Sequence, residues 1–248
     1  MSNIREDWEA QVRLLGPRQA IIFGSGMQAV PEGWIGKARI GQEEITGLEK
    51  SHIPGHKGTI SLGYCDECPI LIIHGRNHAY EGYSKSQVCN LIREVASWGV
   101  LKILLFNATG GLDPKLSPGD LLESTHLWDA NGPNWNVCKG KVPWVEVSCK
   151  KSLAGVGKGR YAMVSGPAYE TAAEVRALGS LGAQLVGMSS VWEIQEGMRL
   201  GVSMKLVSVV ANMGTGLNRS PLTHHDVCQV MSQSEKKITK VARDWLFR

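Results

Sequence analysis

Short apolar runs alternate along this chain with stretches in which apolar residues return every three or four positions. The runs QAIIF, TISLGY, PILII, KILLFN, AQLVGM and SMKLVSVV have strand length and end in glycine or other turn residues, so they predict strands. After PILII the pattern turns helical. Val88, Leu91, Ile92 and Val95 share one face, Ser84 and Gln87 have the spacing of a capping box, and Gly99 follows, which predicts a helix over 84–98. Further helices are predicted over 171–181 and 190–200. A last one starts near Thr223, three residues before Asp226, and runs to the C-terminus, with Val227, Val230, Met231, Ile238, Val241 and Trp245 as its candidate buried face. Residues 129–160 are the least periodic and are expected to form an irregular or mobile excursion. Strand–helix alternation of this kind predicts an α/β fold with a mostly parallel, twisted central sheet flanked by helices.

Composition narrows the picture. A chain of 248 residues that is 43% hydrophobic can bury the core of one large domain spanning 1–248. The formal charge of +4 comes from 27 basic and 23 acidic residues scattered along the chain. No basic stripe marks a nucleic-acid partner, while a small anionic ligand fits this charge. The apolar runs are too short for a bilayer span, and the N-terminal MSNIREDWEA lacks a signal-peptide core, so no membrane association and a cytoplasmic location are expected. In that setting Cys65, Cys68, Cys89, Cys138, Cys149 and Cys228 are expected to be free thiols. YCDEC falls between two strand-like runs, which favours a hairpin turn over a zinc or redox motif.

In open α/β sheets ligands bind beyond the carboxyl ends of the strands, so the residues after each apolar run carry the chemistry. In order they are GSGMQ, HGRNHAYEGY, NATGGLDP, GPAYE, GMSS and NMGTG. Gly24, Gly26 and Ala29 match a dinucleotide fingerprint, but Pro31, Gly33 and Gly36 leave no room for the long helix that such a site needs. A backbone nest with the Ser25 hydroxyl, cradling a free anion, is the better reading. Ser189 precedes a predicted helix, either as an ordinary cap or as an anion ligand at a helix N-terminus. Two serine turns, Arg76 and the histidines together suggest a phosphate site. Glu170 and Asn212 read singly as a cap and a turn residue. As a pair they suit a 6-oxopurine, whose N1–H needs a carboxylate and whose O6 and N7 need an amide N–H.

At this point the chain resembles the trimeric-type purine nucleoside phosphorylases. GSGM (24–27), IPGHKG (53–58), HGRNHAYEGY (74–83), NATGGLDP (107–114), GPAYETAAE (166–174), VGMSS (186–190), AN (211–212) and THHDV (223–227) match that family's motifs in order. The resemblance implies a single nucleoside phosphorylase-like domain with a mixed central sheet, assembled as a homotrimer. It implies phosphorolysis of purine nucleosides such as inosine and guanosine, with inorganic phosphate as co-substrate and neither metal nor organic cofactor.

The same resemblance implies residue roles. Ser25, His56, Arg76, His78, Ala108 and Ser189 would hold phosphate; Tyr80, Met188 and His224 would line the ribose; Tyr169, Glu170, Val186, Gly187 and Asn212 would bind the base. His78, Glu170, Asn212 and His224 would act in catalysis. The related methylthioadenosine phosphorylases, which take a 6-aminopurine, replace the glutamate; a phosphorylase of that preference, or a non-catalytic purine- or phosphate-binding relative, is the alternative reading. The chain departs from the family pattern by a shorter stretch between His126 and Tyr161. Trp128, Trp135 and Trp144 are the aromatics available there, as ribose-site substitutes or as core and rim residues. Asn77, Thr109 and Met213 are local variants.

Overall fold

The computed structural model describes residues 4–49, 58–131, 141–147, 152–217 and 224–248, with the side chains of residues 224 and 225 outside the description. Its centre is the parallel trio β1 (Gln19–Phe23), β5 (Lys102–Gly111) and β10 (Ser203–Met213), with β5 in the middle. Beyond β1 lie β4 (Cys68–His74), parallel to it, then β3 (Thr59–Cys65) and the edge strand β2 (Trp34–Gly41), both antiparallel. On the other side β10 pairs antiparallel with β6 (Leu121–Asp129), and β6 pairs parallel with β8 (Gly157–Met163). β8 pairs parallel with β9 (Leu185–Gly187), which returns antiparallel to the end of β5. Strands β5, β10, β6, β8 and β9 thus close a ring, and β7 (Val145–Glu146) extends β6.

The sheet is therefore mixed, as the family resemblance implies, and not mostly parallel, as strand–helix alternation alone predicts. Half of its pairings are antiparallel, because the 59–74 hairpin, the edge strand beside it and the ring closure are local or returning connections. The central strands are apolar on both faces, as strands covered by helices on each side must be. Ala20, Ile22, Leu71, Ile73, Ile103 and Leu105 face helices α1 (Ile4–Leu15), α2 (Lys85–Ser97) and α4 (Val191–Arg199), through Trp8, Val12, Leu91, Ile92, Val95, Val191 and Ile194. Ile21, Phe23, Ile70, Ile72, Leu104 and Phe106 face α5 (His224–Leu246) through Val227, Met231, Ile238, Val241 and Trp245. Val230 is only partly buried at the margin of that face.

Local signals set the element ends. The Ser84 hydroxyl accepts from Gln87 N at 3.3 Å while Gln87 Oε1 accepts from Ser84 N at 3.0 Å, the reciprocal cap that the spacing predicts. Thr171 and Glu174 do the same for α3 (Ala172–Ser180). Asp66 and Glu67 take φ of 43° and 67°, so CDEC is a two-residue hairpin turn between the paired Cys65 and Cys68. Cys65, Cys68, Cys89 and Cys228 are free thiols; Cys138 and Cys149 lie outside the described residues. After β1 the turn closes with Met27 N donating to Gly24 O at 3.2 Å, and no helix intervenes before β2.

Within 129–160 the described part holds β7 and the start of β8. Trp128 is fully buried against Leu112, Val175 and Leu178, and Trp144 packs edge-on to it at 5.8 Å. Both belong to the core and its rim; Trp135 lies outside the described residues, as does the predicted cap at Thr223. No described helix is long and apolar enough to cross a membrane.

Candidate active site

The carboxyl ends of β1, β4, β5, β9 and β10 converge on one cleft, partly open to solvent. β1 ends in the turn carrying Ser25, and β4 leads into Arg76, His78 and Tyr80. β5 carries Ala108, Thr109 and Gly110 past the cleft, β9 leads from Val186 and Gly187 into Met188 and Ser189, and β10 brings Ala211 and Asn212. Tyr169 and Glu170 close the cleft from the segment before α3, and Val227 from the first turn of α5.

One end of the cleft gathers groups that could hold an anion. The guanidinium of Arg76 is 3% exposed, donates from Nη2 to Ser189 Oγ at 2.7 Å and from Nη1 to Phe106 O at 3.4 Å, and lies 3.4 Å by Nε from Glu193 Oε1. The turn above it needs glycine, since a Cβ at Gly24 would stand 2.9 Å from Phe106 O and 3.5 Å from Arg76 Nη2. Ser189 is fixed from behind by Tyr161, whose hydroxyl donates to Ser189 O at 2.7 Å. A Cβ at Gly187 would meet that hydroxyl at 2.7 Å. The next residue, Ser190, is the N-cap of α4 at φ 81° and accepts from Asn107 Nδ2 at 3.1 Å.

His78 adds a titratable group. Its backbone N donates to Glu81 Oε1 at 2.8 Å, its Nδ1 lies 3.3 Å from the same oxygen, and its ring stacks on Tyr80 with centroids 4.9 Å apart. Burial pulls the imidazole pKa down against the opposing pull of Glu81, so His78 favours the neutral form near neutral pH. Burial pushes the Tyr80 phenol up to about 12.

The other end carries complementary polar groups on apolar walls. Glu170 Oε1 is buried without a hydrogen-bond partner among the described residues, and burial raises its carboxyl pKa. Asn212 Nδ2 donates to Met213 O at 3.1 Å and sits opposite Gly110, where a Cβ would lie 3.6 Å from it. Tyr169 is 39% exposed at the rim.

Ser25, Arg76, His78, Tyr80, Ala108, Tyr169, Glu170, Val186, Gly187, Met188, Ser189 and Asn212 all border this one cleft. His56 lies outside the described residues, and of His224 only the backbone is described, as the first residue of α5. Two placements differ from expectation. Ala108 and Asn212 belong to strands, not to loops beyond them, because β5 and β10 pair along their whole lengths, with the register shifting at Ala211. His74, in the same motif as Arg76, faces inward, stacked on Phe23 and bonded to Ala29 O at 3.0 Å. Sequence reasoning missed Glu193, Asn107 and Tyr161. Only Glu193 carried a signal, its spacing from Ser190 being that of a capping box.

The family described as "Phosphorylase superfamily" matches residues 21–246. The chain is 30% identical over 231 residues to purine nucleoside phosphorylase 1 of Geobacillus stearothermophilus, covering 86% of this chain and 84% of that one. It is 31% identical over 237 residues to the purine nucleoside phosphorylase of Mycobacterium tuberculosis, covering 92% and 88%. Among solved structures, a Schistosoma purine nucleoside phosphorylase in complex with hypoxanthine superposes with a TM-score of 0.77 at 24% identity, covering 98% and 95%. Isoform 2 from Schistosoma mansoni, in complex with cytosine and ribose-1-phosphate, gives 0.77 at 25%, covering 98% and 94%.

Proposed function

The chain belongs to the phosphorylase superfamily and, within it, to the purine nucleoside phosphorylases, and from that premise we propose that its cleft carries out the reversible phosphorolysis of inosine, guanosine and their deoxy forms. The products are the free base and (deoxy)ribose 1-phosphate. The observation that carries this substrate class is the pairing, in one cleft, of the buried Arg76–Ser189 contact with a Glu170 carboxylate oxygen that has no hydrogen-bond partner among the described residues.

A phosphate oxygen bonds to C1′ as the C1′–N9 bond breaks, and the bonding pair leaves with the purine. Arg76 offers a planar, permanently charged donor set, and Ser25, Ser189 and the backbone at Ala108 add neutral donors, which together position the anion beside the developing ribosyl cation. His78, with His56, flanks the phosphate. Tyr80, Met188 and His224 enclose the ribose, while Tyr169, Val186 and Gly187 form the walls around the base. Glu170 accepts the N1–H of a 6-oxopurine, and Asn212 donates to N7 or O6 as negative charge collects there. The transfer is redox neutral and uses only inorganic phosphate as co-substrate. The protein acts in the cytoplasm as a homotrimer of single-domain chains.

Free base released from inosine, guanosine or methylthioadenosine, with and without phosphate, tests this reading. Phosphate-dependent release of hypoxanthine and guanine is expected. Release from methylthioadenosine alone would move the chain to the 6-amino class, and tight purine binding without release would make it a non-catalytic relative.

A further inference from the structure

We propose that Glu193 is a positioning residue for the anion end of the cleft, holding the Arg76 guanidinium and the 189–190 turn in one fixed relation. The proposal rests on the reading of that end as a phosphate site.

Glu193 stands in the first turn of α4 and is 1% exposed. Its two oxygens are divided: Oε2 accepts from Ser190 N at 2.8 Å and Oε1 lies 3.4 Å from Arg76 Nε. Arg76 in turn reaches Ser189 Oγ at 2.7 Å, and the Ser189 and Ser190 hydroxyls are 3.3 Å apart. These contacts close a circuit, Glu193 to Arg76 to Ser189 to Ser190 and back to Glu193. Two of the donors offered to the anion, a guanidinium and a serine turn, are members of it.

An ordinary capping carboxylate does not account for this. Gln87 and Glu174 hold the same position in α2 and α3, and both are exposed and bond only at their own helix ends. Glu193 is instead buried and reaches across to another segment. Ser190, at φ 81°, holds a left-handed conformation unfavourable for a residue with a Cβ. Its N–H on Glu193 and its Oγ on Asn107 keep it there. Arg76 Nε and Nη2 share one edge of the guanidinium, so Glu193 Oε1 beside Nε and Ser189 Oγ on Nη2 together set the rotation of the plane and direct the remaining η N–H groups.

The electrostatic sign makes the proposal sharp. A carboxylate beside an anion site repels the anion, so if Glu193 only balanced charge its removal would tighten phosphate binding. If it positions the donors, removal weakens binding even though a negative charge has gone. Titration calorimetry with inorganic phosphate on Glu193→Gln, together with steady-state kinetics varying phosphate and inosine separately, decides between them. The expected result is a Kd for phosphate raised roughly tenfold, with KM for inosine at saturating phosphate within about twofold. An unchanged or lower Kd in folded Glu193→Gln overturns the proposal, as does an equal rise in both constants. Should Glu193→Gln fail to fold, Glu193→Asp keeps the charge yet is too short to span both partners. It is expected to raise Kd about threefold or more, and an unaltered Kd there overturns the proposal. If the unaltered protein binds no phosphate, the proposal falls with it. If it binds phosphate and releases no base, the phosphorolysis reading falls alone, and Glu193 is still decided by the two Kd comparisons.

Discussion

Glu170 shows how far one residue's environment decides its chemistry. By type it is a surface acid before a helix; in the fold its Oε1 is buried without a described partner and its pKa is raised by burial. The folded state therefore keeps the proton to higher pH than the unfolded chain does. The sign follows: between the unfolded carboxylate pKa and the raised folded one the native state binds more protons, so stability falls as pH rises through that window. On the proposed role of Glu170, base binding needs the carboxylate and is expected to improve over the same window. Glu170→Ala is expected to lower kcat/KM for inosine about a hundredfold, the loss of one hydrogen bond to a charged group. Trp144→Ala, removing a rim contact to Trp128, should alter stability and leave kcat/KM nearly unchanged. Equal losses in the two variants would remove Glu170 from the base site. Neighbouring Tyr80, pushed up to about 12 by burial, serves only as a neutral phenol at working pH.

At the scale of elements, legibility followed the strength of local signals. Helices α2 and α3 were readable to within a residue at each end because each begins with a reciprocal side-chain cap and repeats apolar residues at helical spacing. Helix α1 was missed, since only Trp8 and Val12 of IREDWEAQVRLL are buried and two positions make no convincing stripe. Strand β2 is an edge with mostly exposed or half-exposed residues, and β6 carries the buried polar residues Glu123 and Ser124 inside its run. Glu123 is paired with Lys205 of β10, a partner 82 residues away that no local pattern can announce.

Between elements, Glu196 of α4 bonds Arg199 on its own helix and Arg93 of α2, the latter at 2.6 Å. Arg199 first and Arg93 second, working against partial burial, bring its carboxyl down to about 2. A depressed carboxylate contributes stability that is complete above the unfolded pKa and fades as pH falls toward the folded value. Glu196→Gln should therefore lower Tm at about pH 6 and lower it by less at about pH 3, and a constant difference would show that the bridge adds nothing.

The whole molecule brings the strand ends together. Ser203 pairs with Lys102 and Met213 with Gly111, so β5 and β10 stay paired for their full length, with one shift at Ala211, and carry Ala108 and Asn212 side by side to one cleft. The closed ring of five strands then turns β9 back against β5 and sets Ser189 against Arg76. Sedimentation equilibrium should return three times the 27.0 kDa chain mass, and a monomer at working concentration would refute the homotrimer.

Taken alone, the sequence determined the α/β class, the capped helices, the apolar centre of the sheet and, through its family motifs, most of the residues that border the cleft. Those features are written in patterns a few residues long, in cap spacings, buried faces and the turn residues after each strand. Only the tertiary structure decided the order and register of the strands, the ring, the strand setting of Ala108 and Asn212, and the circuit that joins Glu193 to Arg76. Each of these depends on contacts between segments far apart in the chain, where register and packing choose among partners that local preference leaves equivalent.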